Sequence, residues 1–148
     1  MQTKITKDDI FIFLKNSGKA IGSLTLNAYG ESLNQIGEKA FLNAIEIGIE
    51  NTIATLYDAN VNDKEILRVV VEHWGIPIQE VEDRLVWEKQ QATIRSLKQY
   101  LRLQGKTITE INTFIIEEKV SIKVRYHTEL WKLKNNPEKL MKELKAIR

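Results

Sequence analysis

Arg95, Lys98, Arg102 and Lys106 follow one another at intervals of three, four and four residues. On an α-helix that spacing stacks side chains along one ridge, and a ridge of cations suits the phosphate backbone of a nucleic acid. Ile94, Leu97 and Leu101 fall on the other side of such a helix and are expected to face a core. Gln91, Ser96 and Gln99 add uncharged hydrogen-bonding groups. No acidic residue stands between Glu88 and Glu110, whereas Lys89 and the four ridge cations do. The alternative reading of the same residues is a solvated helix face.

A second constellation spans Gly105 to Leu133. It resembles a helix–turn–helix DNA reader: a Gly at a helix end, a capped helix with Glu110-Ile111, and a second helix bearing Ser121, Lys123, Arg125 and His127. In such readers the second helix enters the major groove. The resemblance implies that Ser121 approaches a phosphate or base and that Lys123 and Arg125 pair with guanine or phosphate. Glu117-Glu118-Lys119, at the turn, holds no Gly, and its two acids would oppose phosphates. A plain helical hairpin is the alternative.

Residue types suited to catalysis are sparse. His73 and His127 are the only histidines, and no Cys is present. A zinc site needs three or four ligands, and neither His has a second His or a carboxylate at helical ligand spacing. His73 precedes Trp74 at an expected helix end, where the helix dipole explains it. Glu129 follows His127 by two positions, which on a helix are different faces. Glu80, Glu82, Asp83 and Glu88 would hold a hard cation only with help from other helices. There is no phosphate-cradling Gly loop, nucleophile elbow or dinucleotide fingerprint. The expectation is a non-catalytic protein without cofactor or metal.

The elements that must position these residues are helical. Leu67, Gly75, Ile78, Glu80, Glu88 and Lys89 recur thirty positions on as Leu97, Gly105, Ile108, Glu110, Glu118 and Lys119, with Val81, Leu85 and Val86 returning as Ile111, Ile115 and Ile116. Each copy is an apolar helix end, a Gly, a capped restart with Glu in its first turn, and another helix. Asn62-Asp-Lys-Glu65 and Thr107-Ile-Thr-Glu110 have capping-box spacing. Pro77 suits a helix start, and a helix is expected from there to Gln104, broken by Gly105. A second long helix follows from Glu110 to Asn135, the two forming an antiparallel hairpin, although Val120, Ile122 and Val124 weaken helix preference locally. Asn136-Pro137-Glu138 opens a short basic amphipathic helix through Leu140, Leu144 and Ile147.

Upstream, Ser32-Leu-Asn-Gln35 caps a helix to about Tyr57. Its stripe of Ile36, Ala40, Ile47 and Leu56, widened by Phe41, Ala44, Ile45, Ile49 and Ile53, predicts a central, largely buried element. Gly37 and Gly48 inside it permit either close helix approach or a kink. Residues 6–18 read as a capped short helix, and 16–31 as an irregular arm in which Ser23 to Tyr29 alternates polar and apolar. The fold expected is an all-α bundle of about six helices in a single domain, residues 1–148, with residues 62–134 as its repeated hairpin centre and 136–148 as the basic C-terminal helix.

Composition sets the outer bounds. At 148 residues, 43% hydrophobic and 28% charged, the chain is that of a globular protein with a core of its own. The apolar runs are far shorter than the ~20 residues needed to cross a bilayer. The N-terminus lacks the apolar core of a signal peptide, so a cytoplasmic protein with no membrane partner is expected. The net charge of +2 hides a balance of −3 over residues 1–74 and +5 over 75–148, which favours a polyanionic partner. Leu85, Val86 and Trp87 in a row cover more than half a helix circumference. Another helix or another subunit must bury the excess, and a homodimer is expected. Trp74, Trp87 and Trp131 are read as core plugs or interface anchors. The function expected is a regulator or accessory factor that binds nucleic acid, DNA before RNA, through Arg95, Lys98, Arg102, Lys106, Ser121, Lys123 and Arg125. The alternative is an adaptor or inhibitor that docks an acidic protein.

Overall fold

The computed structural model describes residues 35–147, and they are all helical: six α-helices and one 3₁₀ segment, with no strand among the described residues. The helices are α1 (Gln35–Asp58), α2 (Asp63–Trp74), α3 (Ile78–Leu103), α4 (Ile108–Glu117), α5 (Val120–Tyr126) and α6 (Pro137–Ala146), with the 3₁₀ segment Thr128–Leu133 between α5 and α6. The expected N-terminal helix, the irregular arm over residues 16–31 and the Ser32 cap lie outside the described residues.

The starts and stops follow local chemistry. Asn62 accepts a hydrogen bond from the Glu65 N–H at the head of α2, satisfying one of the donors that a helix start leaves open. Thr107 and Glu110 form a complete reciprocal capping box on α4. Asn136 caps α6, with Pro137 in its first turn where no N–H is needed. At the other ends, Gly75 (φ 65°) and Gly105 (φ 82°) take the left-handed conformation, which a residue without Cβ adopts at no steric cost. Past Gly105 the Lys106 N–H returns to the Leu101 carbonyl at 3.1 Å, closing the last turn of α3.

The chain divides into two compact units at Leu85/Val86, inside α3. In the first, Ile49 and Ile53 of α1, Ile66 and Val70 of α2, Ile76, and Val81 and Leu85 of α3 form one core. In the second, Ile94, Leu97 and Leu101 of α3 meet Ile111, Val120, Val124, Leu130, Leu140 and Leu144 in another. Fully burying such a side chain contributes about 1.5–3 kcal/mol. Each unit therefore holds one copy of the repeated helix–Gly–helix corner. Equivalent positions behave alike: Val81 and Ile111 are buried, while Val86 and Ile116 are exposed. The copies part at their last two residues, where Glu88-Lys89 lies mid-helix but Glu118-Lys119 is a turn.

Two expectations are corrected and one alternative is decided. The second long helix is not continuous: Lys119 adopts φ 50°, ψ 38° between α4 and α5, and His127 leaves helical geometry before the 3₁₀ segment. These breaks let Ile111 and Val120, nine residues apart and so on opposite sides of one continuous helix, share a core with Val124, Leu130 and α6. Helix α1 is buried along a single stripe rather than around much of its circumference. Ile49 and Ile53 are inside, but Ala40, Ala44 and Ile47 are exposed, because among the described helices it packs mainly against α2. Gly48 is a point of close approach, since a Cβ there would sit 2.5 Å from Trp74 Cη2.

Candidate nucleic-acid interface

Arg95, Lys98 and Arg102 all lie on α3, within about 60° of one another at 3.6 residues per turn, and Ile94, Leu97 and Leu101 are buried behind them. Lys106 is not on this ridge. Helix α3 ends at Leu103, and the left-handed turn at Gly105 redirects the chain before Lys106, whose ammonium lies 3.7 Å from Glu110. An open cleft of about 310 Å³ beside it is lined by Leu101, Ile111 and Phe114 with Glu110 and Glu117, a lining unsuited to phosphate.

The three ridge cations differ in commitment. Arg95 Nη2 sits 2.5 Å from Glu88 Oε1, two helical turns back on the same face. Glu88 is only 4% exposed, and a buried carboxylate without a cation is strongly destabilising, so Arg95 has a structural duty. The seven-residue spacing of the pair carried that signal in the sequence. Lys98 and Arg102 form no ion pair among the described residues; Arg102 is exposed and Lys98 half-buried.

On α5 the expected contacts separate by face. Val120 and Val124 enter the core. Lys123 turns inward with them: its Nζ donates to the Leu144 carbonyl at 2.9 Å, near the end of α6, and lies 3.5 Å from Glu118. A cation at a helix C-terminus complements the dipole there. Ser121 and Arg125 are exposed, and the Arg125 guanidinium lies 5.9 Å from the Tyr126 ring centroid. Tyr126, which the sequence pattern did not single out, and Ile122, noted there only as β-branched, are exposed one turn apart.

The remaining candidates are accounted for locally. His127 Nδ1 lies 3.2 Å from Glu129 Oε1; the two share a side because the chain there is not α-helical, contrary to the helical-face expectation. Trp74 donates to Thr52 Oγ1 at 3.1 Å, and Trp131 donates to the Val124 carbonyl at 2.8 Å, each plugging its own unit's core. Trp87 and Val86 stay exposed. Ser96 donates to the Lys134 carbonyl, tying α3 to the segment before α6. No group of three His, Asp or Glu side chains that could hold a metal ion occurs among the described residues, and no described helix is long and apolar enough to cross a membrane.

The chain matches no protein-family model, no curated protein and no solved structure. What the second unit can do rests on its own geometry and charge. From Val86 onward the sequence holds 14 Lys and Arg against 7 Asp and Glu, a balance of +7; up to Leu85 it holds 8 against 13, a balance of −5. Cut at the structural boundary, the charge asymmetry is larger than between the two halves of the sequence.

Proposed function

We propose that the second unit is a non-catalytic nucleic-acid-binding module, in the setting of a cytoplasmic regulator or accessory factor, and that Lys98, Arg102 and Arg125 make its phosphate contacts. The observation that carries this reading is the coincidence of the +7 balance with a compact unit in which these three cations meet no carboxylate among the described residues. A basic domain with unneutralised cations is the electrostatic footprint of a polyanion binder. Arg95 and Lys123 serve the fold in this reading, and Lys106 contributes little. The α4–turn–α5 unit has helix–turn–helix order, but Lys123, one of its expected base readers, is occupied at α6.

The test is fluorescence anisotropy of labelled random-sequence duplex and single-stranded DNA, with wild type and a Lys98→Ala, Arg102→Ala variant, across a salt series. Arg95 is left intact so that Glu88 keeps its partner. Binding should weaken with salt, and the variant should lower the log–log salt slope by about 2 on duplex. No binding by the folded protein at low salt would overturn the reading.

One observation favours the second reading, a protein-interaction surface: Val86 and Trp87 are adjacent, large and exposed on α3. Their burial by a second copy is the homodimer reading, and light scattering of wild type against Trp87→Ala tests it.

A further inference from the structure

We infer that the outer face of α5 is a stacking platform for unpaired bases, so that the nucleic acid bound by the second unit is single-stranded; this rests on the reading just proposed and narrows its substrate. Tyr126 is 72% exposed, and Ile122, one turn before it on the same side, is 56% exposed. Ile116, at the end of α4, is 75% exposed. A helix that reads base edges in a duplex presents polar side chains to the groove. Here Lys123, one of the two cations on α5, is turned inward to the Leu144 carbonyl. What α5 offers outward is a phenol ring, an isoleucine, Ser121 and Arg125.

That set matches the demands of an unpaired strand. Every base has a π-face that stacks on an aromatic ring whatever its sequence, and cations beside the ring hold the backbone. The Arg125 guanidinium, 5.9 Å from the Tyr126 ring centroid, is placed to hold the phosphate next to a base on that ring. Helix α5 contains no acidic residue, and Lys119 is exposed just before it. The neighbouring acids are Glu118, drawn to Lys123, Glu129, drawn to His127, and Glu117, exposed on α4. The +7 balance of the unit supplies the attraction that brings the strand to the ring.

The experiment measures binding of oligothymidylate, which has no secondary structure, and of a blunt duplex. The proteins are wild type, Tyr126→Ala, Tyr126→Trp and the Lys98→Ala, Arg102→Ala variant. Tyr126 is exposed, so its variants should keep the wild-type melting temperature. Wild type should bind oligothymidylate more tightly than the duplex, and the reverse order overturns the single-strand inference. Tyr126→Ala should weaken oligothymidylate binding roughly 10- to 100-fold and leave the weaker duplex binding unchanged, with Tyr126→Trp restoring the former. Upfield ring-proton shifts of Tyr126 on titration with oligothymidylate would report the stack directly. Equal loss on both DNAs, or no loss on either while the lysine–arginine variant weakens binding, overturns the stacking platform and keeps the nucleic-acid reading. No binding of either DNA by any of the proteins overturns both.

Discussion

At Gly48 a single hydrogen atom decides the packing of the first unit. The Trp74 indole comes within 2.5 Å of where a Cβ would be, and its N–H donates to Thr52, whose hydroxyl donates in turn to the Gly48 carbonyl at 2.8 Å. Ala at this position would gain about 1 kcal/mol of helix propensity but overpack against a rigid ring, at a cost of about 1–3 kcal/mol. Gly48→Ala is therefore expected to lower the denaturation midpoint, and Trp fluorescence during urea unfolding checks it. Gly48 was visible in the sequence as a place of close helix approach or a kink; that Trp74 is what approaches was not, because the two are 26 positions apart. Arg95 and Lys123 teach the same lesson from the other side. Both read as phosphate contacts, yet one neutralises a buried Glu88 and the other meets the Leu144 carbonyl. A cation's type does not say whether its charge is already spent inside the fold.

At the scale of elements, the caps are the most legible feature. Asn62, Thr107 and Asn136 all cap where their spacing placed them, because a cap is a contact among residues three apart. The capping box on α4 carries a pH signature. Hydrogen bonds from the Thr107 backbone N–H and then its hydroxyl, with Lys106 nearby, hold the Glu110 carboxyl below the usual glutamate range. A carboxylate with a lowered folded pKa adds stability above its unfolded pKa, and the gain is lost as pH falls through the folded value. Glu110→Gln should thus be less stable than wild type at neutral pH, with the gap closing on acidification below the ordinary glutamate value. Thermal melts of both proteins over a pH series check this. The break at Lys119 was much harder to see. A left-handed backbone normally advertises itself as Gly or Asn, as at Gly75, Gly105 and Asn60, and here a lysine adopts it so that α5 can carry Val120 and Val124 into the core.

At the scale of the whole molecule, the duplicated corner becomes two cores. Leu140 and Leu144 of α6 belong only to the second. Leu140→Ala should cost about 2–5 kcal/mol. In native-state hydrogen exchange the loss of protection should be greatest at Leu97, Ile111, Val124 and Leu144, and smaller at Ile49, Ile53, Ile66 and Val70. Equal loss in both sets would mean that the two cores open as one cooperative unit.

The sequence by itself determined the all-helical class, the starts of α2, α3, α4 and α6, the two glycine stops and the thirty-residue repeat, since each is written in residues a few positions apart. It also determined which side of α3 is apolar, because helical periodicity needs no partner to be read. Tertiary structure alone decided that the repeat is divided between two cores, that Lys106 leaves the ridge, and which cations are consumed by Glu88, Glu110 and Leu144. It alone exposed Tyr126 and Ile122. Those outcomes depend on what lies opposite a side chain after folding, and partners up to 38 residues away, as between Ser96 and Lys134, leave no local trace in the order of residues.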